Sequence, residues 1–474
     1  MADRKDRLGL RRSRRRRLVR RTAGAFVAVV AVVTGWLAMA PPELLRVGSA
    51  YSAKIVCSNV FVAYRDPAQV LAQDVQAPGH PLLKLMRIEV DRPNRLVKAG
   101  ILGFFAQRIA VARDGLGCTV LPEGISAERL IELRAEQRPP ETVATADALW
   151  PQGERTEAPA DPALASVLDD PALTGPGMRA VVVVKDGRIV GERYGDGFDR
   201  ETPLLGWSMT KTVNAAILGT LVKGGKLSLD QKRLFGDWRT DNRAGISIAD
   251  LMGMRSGLAF DEDYGGVTDV TRMLFLERDM TSFAAAMPLA RPVGQAFAYS
   301  SGTAMLLSRI WQDAVGDPDR ALVTPRAGLF EPIGMRSAIL ETDAAGTFVG
   351  CSYLYATARD WARFGQFLLQ DGSWGGRALL PDGFVAWMRS AAPGSGGEYG
   401  NGQLWLSGPS STRAEDLRLG VAADAYWLIG HDGQTMTIIP SRRLIVLRLG
   451  LTPSSLGYKP QAMVVEIAKA LSPP

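Results

Sequence analysis

Apolar positions change rhythm several times along the chain. Residues 23–40 form an unbroken, uncharged apolar run of 18 residues, near the shortest length that spans a bilayer as a helix. Residues 42–136 carry short apolar alternations, such as Val60–Ala63 and Arg108–Ala112, punctuated by Asp91-Arg92-Pro93-Asn94 and Asp114-Gly115-Leu116-Gly117. That pattern predicts a small β-containing region. From 137 to 177 the chain becomes rich in Pro, Ala, Asp and Glu, which reads as a linker with one short helix.

From 178 to 474 the pattern is that of one larger domain. Arg179–Val184 and Ile189–Tyr194 read as strands joined through Asp186-Gly187, a strong hairpin signal. Helical spacing follows through Ala215–Val222, Ile246–Met252, Met280–Met287, the stretch ending at Trp311, and Ala358–Leu369. Strands return at Tyr426–Gly430, Thr435–Pro440 and Leu444–Gly450, before a final helix over Gln461–Leu471. The expected fold class is therefore α+β, with an antiparallel sheet drawn from both ends of the domain, flanking helices and an all-helical insertion.

Charge sharpens the reading of the amino terminus. The net charge is +7, yet residues 1–21 hold eleven Arg and Lys against Asp3 and Asp6, so the remainder is slightly acidic. A basic tail before an apolar run predicts a cytoplasmic tail (1–21) and an anchor or cleaved signal (22–41), with the rest exported. The expected location is the inner, cytoplasmic membrane, with the large domain periplasmic or extracellular and the membrane as a partner through the N-terminal helix. A nucleic-acid groove is not expected. With three cysteines in an exported chain, a Cys57–Cys118 disulfide is expected, the alternative being three unpaired buried thiols. His80 and His431 are the only histidines, too few for a multi-histidine metal site, so no metal or other cofactor is expected.

Chemistry centres on Leu205-Gly206-Trp207-Ser208-Met209-Thr210-Lys211. A serine three residues before a lysine at a helix start puts hydroxyl and amine on one face, a turn apart. By itself this is weak, since Ser208 also reads as a plain N-cap and Lys211 as a solvated charge. Tyr299-Ser300-Ser301 offers a phenol able to relay a proton between serine and leaving group. Gly430-His431-Asp432-Gly433-Gln434, at a strand edge, offers a backbone N–H that could join that of Ser208 in binding an oxyanion. Tyr264, with Asp261 and Asp263, sits on an acidic loop expected over the pocket, and Trp405 and Trp427 read as structural residues, with a place in its walls as the alternative.

In order, Ser208-Met-Thr-Lys211, Met254-Arg-Ser-Gly257-Leu258, Tyr299-Ser-Ser301, Pro332-Ile-Gly-Met335 and His431-Asp-Gly433 resemble the serine β-lactamase and penicillin-binding-protein-like superfamily, class C and esterase branch. The resemblance covers roughly residues 175–474. Asp432-Gly433-Gln434 and the Thr357–Gly365 helix are most similar to 6-aminohexanoate-dimer hydrolases. The resemblance implies a β-lactamase/transpeptidase-like fold, with Ser208 as acylated nucleophile, Lys211 as its base partner and Tyr299 as second acid/base. It also implies that Gly433 is the glycine of the third motif and that the amide of Gln434 completes the oxyanion hole. Two positions depart from the family pattern: Ser301 stands where it has asparagine, and His431 where lactamases have lysine.

Those departures favour a small linear amide or ester over a β-lactam. The expected activity is that of a membrane-tethered serine hydrolase acting through a Ser208 acyl-enzyme. Rival readings are a D-alanyl carboxypeptidase or β-lactamase on the same fold, and a catalytically silent tethered binding module. An α/β-hydrolase is disfavoured, because Gly206-Trp207-Ser208-Met209-Thr210 lacks the last glycine of the nucleophile elbow. The sequence sets no oligomeric state.

Overall fold

The computed structural model describes residues 20–26, 28, 29, 35, 39–77, 79–131, 147–156 and 161–472. Half of the apolar run at 23–40 lies outside them, and among the described residues no helix is long and apolar enough to cross a membrane.

The first packed element is a helix, α1 (Glu43–Phe61), where the sequence pattern predicts only strands. Its residues from Val47 to Val60 are buried almost without interruption, so the apolar stripe that betrays a surface helix is missing. Small residues at Gly48, Ser49, Ala50, Ser52 and Ala53 let its backbone approach closely. Beneath it lie β1 (Met86–Asp91), β2 (Leu96–Ile101), β3 (Phe105–Arg113) and β4 (Gly117–Val120), an antiparallel meander in sequence order. Cys57 of α1 is bonded to Cys118 of β4, with Cα atoms 6.0 Å apart.

The segment expected to be a linker is packed wherever it is described. Trp150 is buried, and its carbonyl accepts from Arg188. The carboxylate of Glu154 holds Arg363 at 2.7 Å and Arg359 at 3.3 Å. Downstream, α2 (Pro162–Asp169) starts from the side-chain cap of Asp161, with Pro162 at the first helical position. Leu164 and Leu168, one turn apart, are its buried residues. Those two leucines were masked in sequence by the Pro/Ala/Asp background.

The main sheet joins β5 (Met178–Lys185) and β6 (Arg188–Tyr194) to β7 (Tyr426–Gly430), β8 (Gln434–Ile439) and β9 (Leu444–Gly450). The order is β7-β8-β9-β5-β6, antiparallel throughout, so the two halves separated in sequence meet at β9 and β5. Alternation along β5 sends Ala180, Val182 and Val184 into the large core and Val181 and Val183 into a second one. The large core lies under α3 (Thr210–Lys223), α4 (Ser301–Val315) and α5 (Ala358–Leu369). The second is closed by α2 and the final helix, α6 (Gln461–Ala470). Short helices at Ile248–Met252, Asp269–Phe275 and Met280–Ala285 gather around α4 as the helical part.

A buried polar seam joins the N-terminal unit to this domain. Lys54 of α1 pairs directly with Glu341, whose Oε1 also accepts from Ser58 at 2.9 Å and from the amide of Cys118 at 2.6 Å. Arg113 donates to the carbonyls of Thr342 and Asp343. Gly117 has to be glycine, since a Cβ there would lie 2.4 Å from the Glu341 carboxylate at a φ of +60°.

Candidate active site

Ser208 is delivered by a tightly constrained turn. Gly206 packs against the indole of Trp361 so closely that a Cβ would meet it at 2.1 Å. Trp207 then takes a φ of +48°, a left-handed conformation that a bulky residue adopts only at a cost. One 3₁₀ turn, Trp207–Met209, leads into α3 and leaves Ser208 at the helix entry, half-buried. Behind it, Asn214 pins α3 to α4. Its amide donates to the Ala304 carbonyl at 3.0 Å, while its oxygen accepts from Ser308 and from Trp311 at 2.8 Å.

That clamp fixes Lys211 opposite the start of α4. The buried ammonium donates to Ser208 Oγ at 3.0 Å, Ser301 Oγ at 3.0 Å and the Cys351 carbonyl at 2.9 Å. It also lies 4.9 Å from the ring centroid of Tyr299. Burial pushes the Lys211 ammonium down, but the phenol of Tyr299, the Glu262 carboxylate and the Cys351 thiol hold it up, and the net shift is upward. Burial also raises the Tyr299 phenol, against the pull of Lys211. The Cys351 thiol is pushed up to about 11 by burial, so it stays protonated.

Glu262 is the residue that sequence reasoning passed over. Its Oε1 accepts from Ser301 Oγ and its Oε2 accepts from the Ser301 amide at 2.7 Å. A chain of donors thus runs from Lys211 through the Ser301 hydroxyl to a carboxylate. Burial raises the Glu262 carboxyl, with Lys211 and Ser301 opposing. The signal was present as alternation, because Asp261 and Asp263 face solvent while Glu262 and Tyr264 turn inward. Asp261 and Asp263 only cap their own loop, accepting from the amides of Asp263 and Gly265. Tyr264 lies with its ring 5.0 Å from that of His431.

The third motif departs from expectation. Trp427 exchanges both backbone hydrogen bonds with Trp405 across the free edge of β7, so by the strand period Ile429 and His431 point the same way. Gly430, facing inward, is paired with Gln434. The Gln434 amide therefore belongs to the β7–β8 ladder, whereas the His431 amide lies outside it. The Gln434 side chain is spent on structure, donating to the carbonyls of His431, Asp432 and Gly450 and accepting from the Gly450 amide. Gly433, at a φ of +84°, leaves room for Arg448, which donates to its carbonyl at 2.8 Å. His431 itself is 41% exposed and lies edge-on to Trp207, centroids 5.6 Å apart. No bond to Ser208 places it as a base. Trp405 lines the cleft beside Tyr299, ring centroids 5.4 Å apart, whereas Trp427 is fully buried in the second core.

The family model described as Beta-lactamase matches residues 171–455, more than half of the chain. No curated protein matches. Among solved structures, a candidate 6-aminohexanoate-dimer hydrolase from Bacillus anthracis is similar at 23% identity and a TM-score of 0.52, covering 65% of this chain and 82% of that one. A penicillin-binding-protein homologue from Caulobacter crescentus is similar at 18% identity and 0.50, covering 66% and 99%. EstCE1, a hydrolase with promiscuous acyltransferase activity, is similar at 16% and 0.50, covering 65% and 96%. At these identities the likeness establishes a shared fold.

Proposed function

The chain belongs to the beta-lactamase family as a serine hydrolase, and from that premise we propose that it cleaves a small linear amide or ester through an acyl-enzyme at Ser208. The observation that carries this reading is the Lys211 ammonium, 3.0 Å from Ser208 Oγ and 3.0 Å from Ser301 Oγ, with Glu262 beyond. A proton passes from Lys211 to Ser301 while the Ser301 proton passes to Glu262, which leaves a neutral amine. Ser208 Oγ then bonds to the substrate carbonyl carbon as its proton goes to Lys211. The amides of Ser208 and His431 receive the oxyanion. On collapse, Tyr299 protonates the departing amine or alcohol and recovers a proton from Lys211. Glu262 returns its proton through Ser301, and water repeats the sequence to release the acid.

Further parts of the proposal concern place and substrate. The basic tail and apolar run at 23–40 tether the chain to the cytoplasmic membrane, or act as a signal, with the hydrolase on the exported side. The Cys57–Cys118 bond suits an oxidising compartment. Penicillin-like substrates are disfavoured, because their carboxylate would meet His431 rather than a fixed cation and would lie near the carboxylate of Glu262. Turnover of chromogenic esters and linear amides should vanish in Ser208→Ala, and an active-site serine probe should label only the wild type. Full activity in Ser208→Ala would sink the mechanism, and strong labelling by a fluorescent penicillin would redirect it to cell-wall substrates.

A further inference from the structure

A cavity of about 200 Å³ opens beside the nucleophile. Its inner wall is apolar and comes mainly from outside the segment matched by the family, from Leu45 of α1, Leu83 and Met86, with Phe275 added from within that segment. Gly48 adds width, since a Cβ there would stand 3.1 Å from Met86 and 3.4 Å from Leu83. At the cleft end the lining becomes Trp207, the residue before Ser208, together with Tyr264 and His431.

Position assigns the cavity to one side of the scissile bond. The leaving group departs next to Tyr299, which faces Trp405 and Tyr399. None of those three lines the cavity, so it accepts the acyl side. Charge narrows the occupant further. Among the described residues the lining contains no lysine or arginine, and its single acid is Asp432 at the mouth. A chain ending in a carboxylate would be desolvated there with no lysine or arginine to pair with, only the rings of His80 and His431. We propose that this cavity binds the unbranched, uncharged, medium-length acyl chain of the substrate, with the carbonyl at Ser208 and the methyl end against α1. The inference rests on the acyl-enzyme reading above.

Full-length protein assayed on p-nitrophenyl acetate, butanoate and octanoate tests this. Each buried methylene contributes about 0.8 kcal/mol, so kcat/KM should rise at least about tenfold from acetate to octanoate. Lengthening the alcohol of an acetate ester should bring no such rise. Leu45→Trp and Leu82→Trp, which fill the cavity from two separate segments, should each lower the octanoate-to-acetate ratio by about fivefold or more. A flat or falling acyl series in an enzyme that needs Ser208 overturns the pocket alone. So does an acyl preference that survives both tryptophans in proteins with intact melting transitions. Hydrolysis that persists in Ser208→Ala overturns the reading beneath it.

Discussion

Among the described residues two lysines are buried, and each has a serine, a carboxylate and a tyrosine ring as neighbours. Lys54 touches Glu341 directly, donates to Ser58 Oγ at 2.9 Å and lies 3.8 Å over the Tyr353 ring. Lys211 reaches its carboxylate, Glu262, only through the Ser301 hydroxyl, and it has a second hydroxyl, Ser208, at the cleft surface. Burial shifts Lys54 down despite Glu341, whereas Lys211 is held up. A depressed lysine is the usual pointer to a reactive one, and here it marks the structural pair. Both lysines have a serine hydroxyl bridging to a carboxylate, and what separates the sites is that Lys211 has a second hydroxyl, Ser208, at the cleft, while Lys54 also touches its carboxylate directly. Lys54 has its carboxylate in hand, and Lys211 has a hydroxyl on either side.

Five variants would break or sharpen that contrast. Lys211→Met should cost the most, about 10⁴-fold in kcat/KM, or roughly 5.5 kcal/mol, with little change in melting; a small loss in an ester assay would remove Lys211 from the chemistry. Lys54→Met should do the reverse. It leaves Glu341 buried and unpaired, for a loss of about 3–5 kcal/mol of stability in denaturant titration, with turnover per folded molecule retained. Adding Glu341→Gln should return part of that loss. Replacing Cys57 and Cys118 together by alanine should cost about 2–4 kcal/mol, again without a change in turnover per folded molecule. Glu262→Gln should lower kcat about tenfold and change the pH profile. Since the Glu262 carboxyl is raised, wild-type activity should fall as pH drops through that elevated value, because the protonated acid can no longer take the relayed proton. The glutamine variant should lack this acid limb, and an unchanged limb would take Glu262 out of the relay.

Much of the sheet was legible because its strands alternate or run apolar between clear turns. The hairpin at Asp186-Gly187 and the three strands after Tyr426 emerge close to their expected bounds. Ser208, Lys211, Tyr299 and Ser301 come together because α3 and α4 are locked by Asn214, a contact that no local pattern announces. Where burial surrounds an element on all sides, as in α1, periodicity vanishes and the helix went unread. The Pro/Ala/Asp stretch hid Leu164 and Leu168 for the opposite reason, since two apolar residues are too few to form a pattern. Glu262 was overlooked because a loop acid reads as solvated until the neighbouring helix start is known. Gln434 reads from the sequence as the oxyanion donor because only the register with Trp405 fixes which amides belong to the β7–β8 ladder and which face outward.

The seam between α1 and Glu341 has a consequence for ancestry. The matched segment, 171–455, contains Glu341 and Trp207 but neither Lys54 nor the α1 wall of the cavity. A descendant that lost or exchanged the N-terminal unit would strand a carboxylate that is now wholly buried and open the space beside its nucleophile. In this chain the two units are thus tied together twice, by one buried ion pair and by one shared cavity wall.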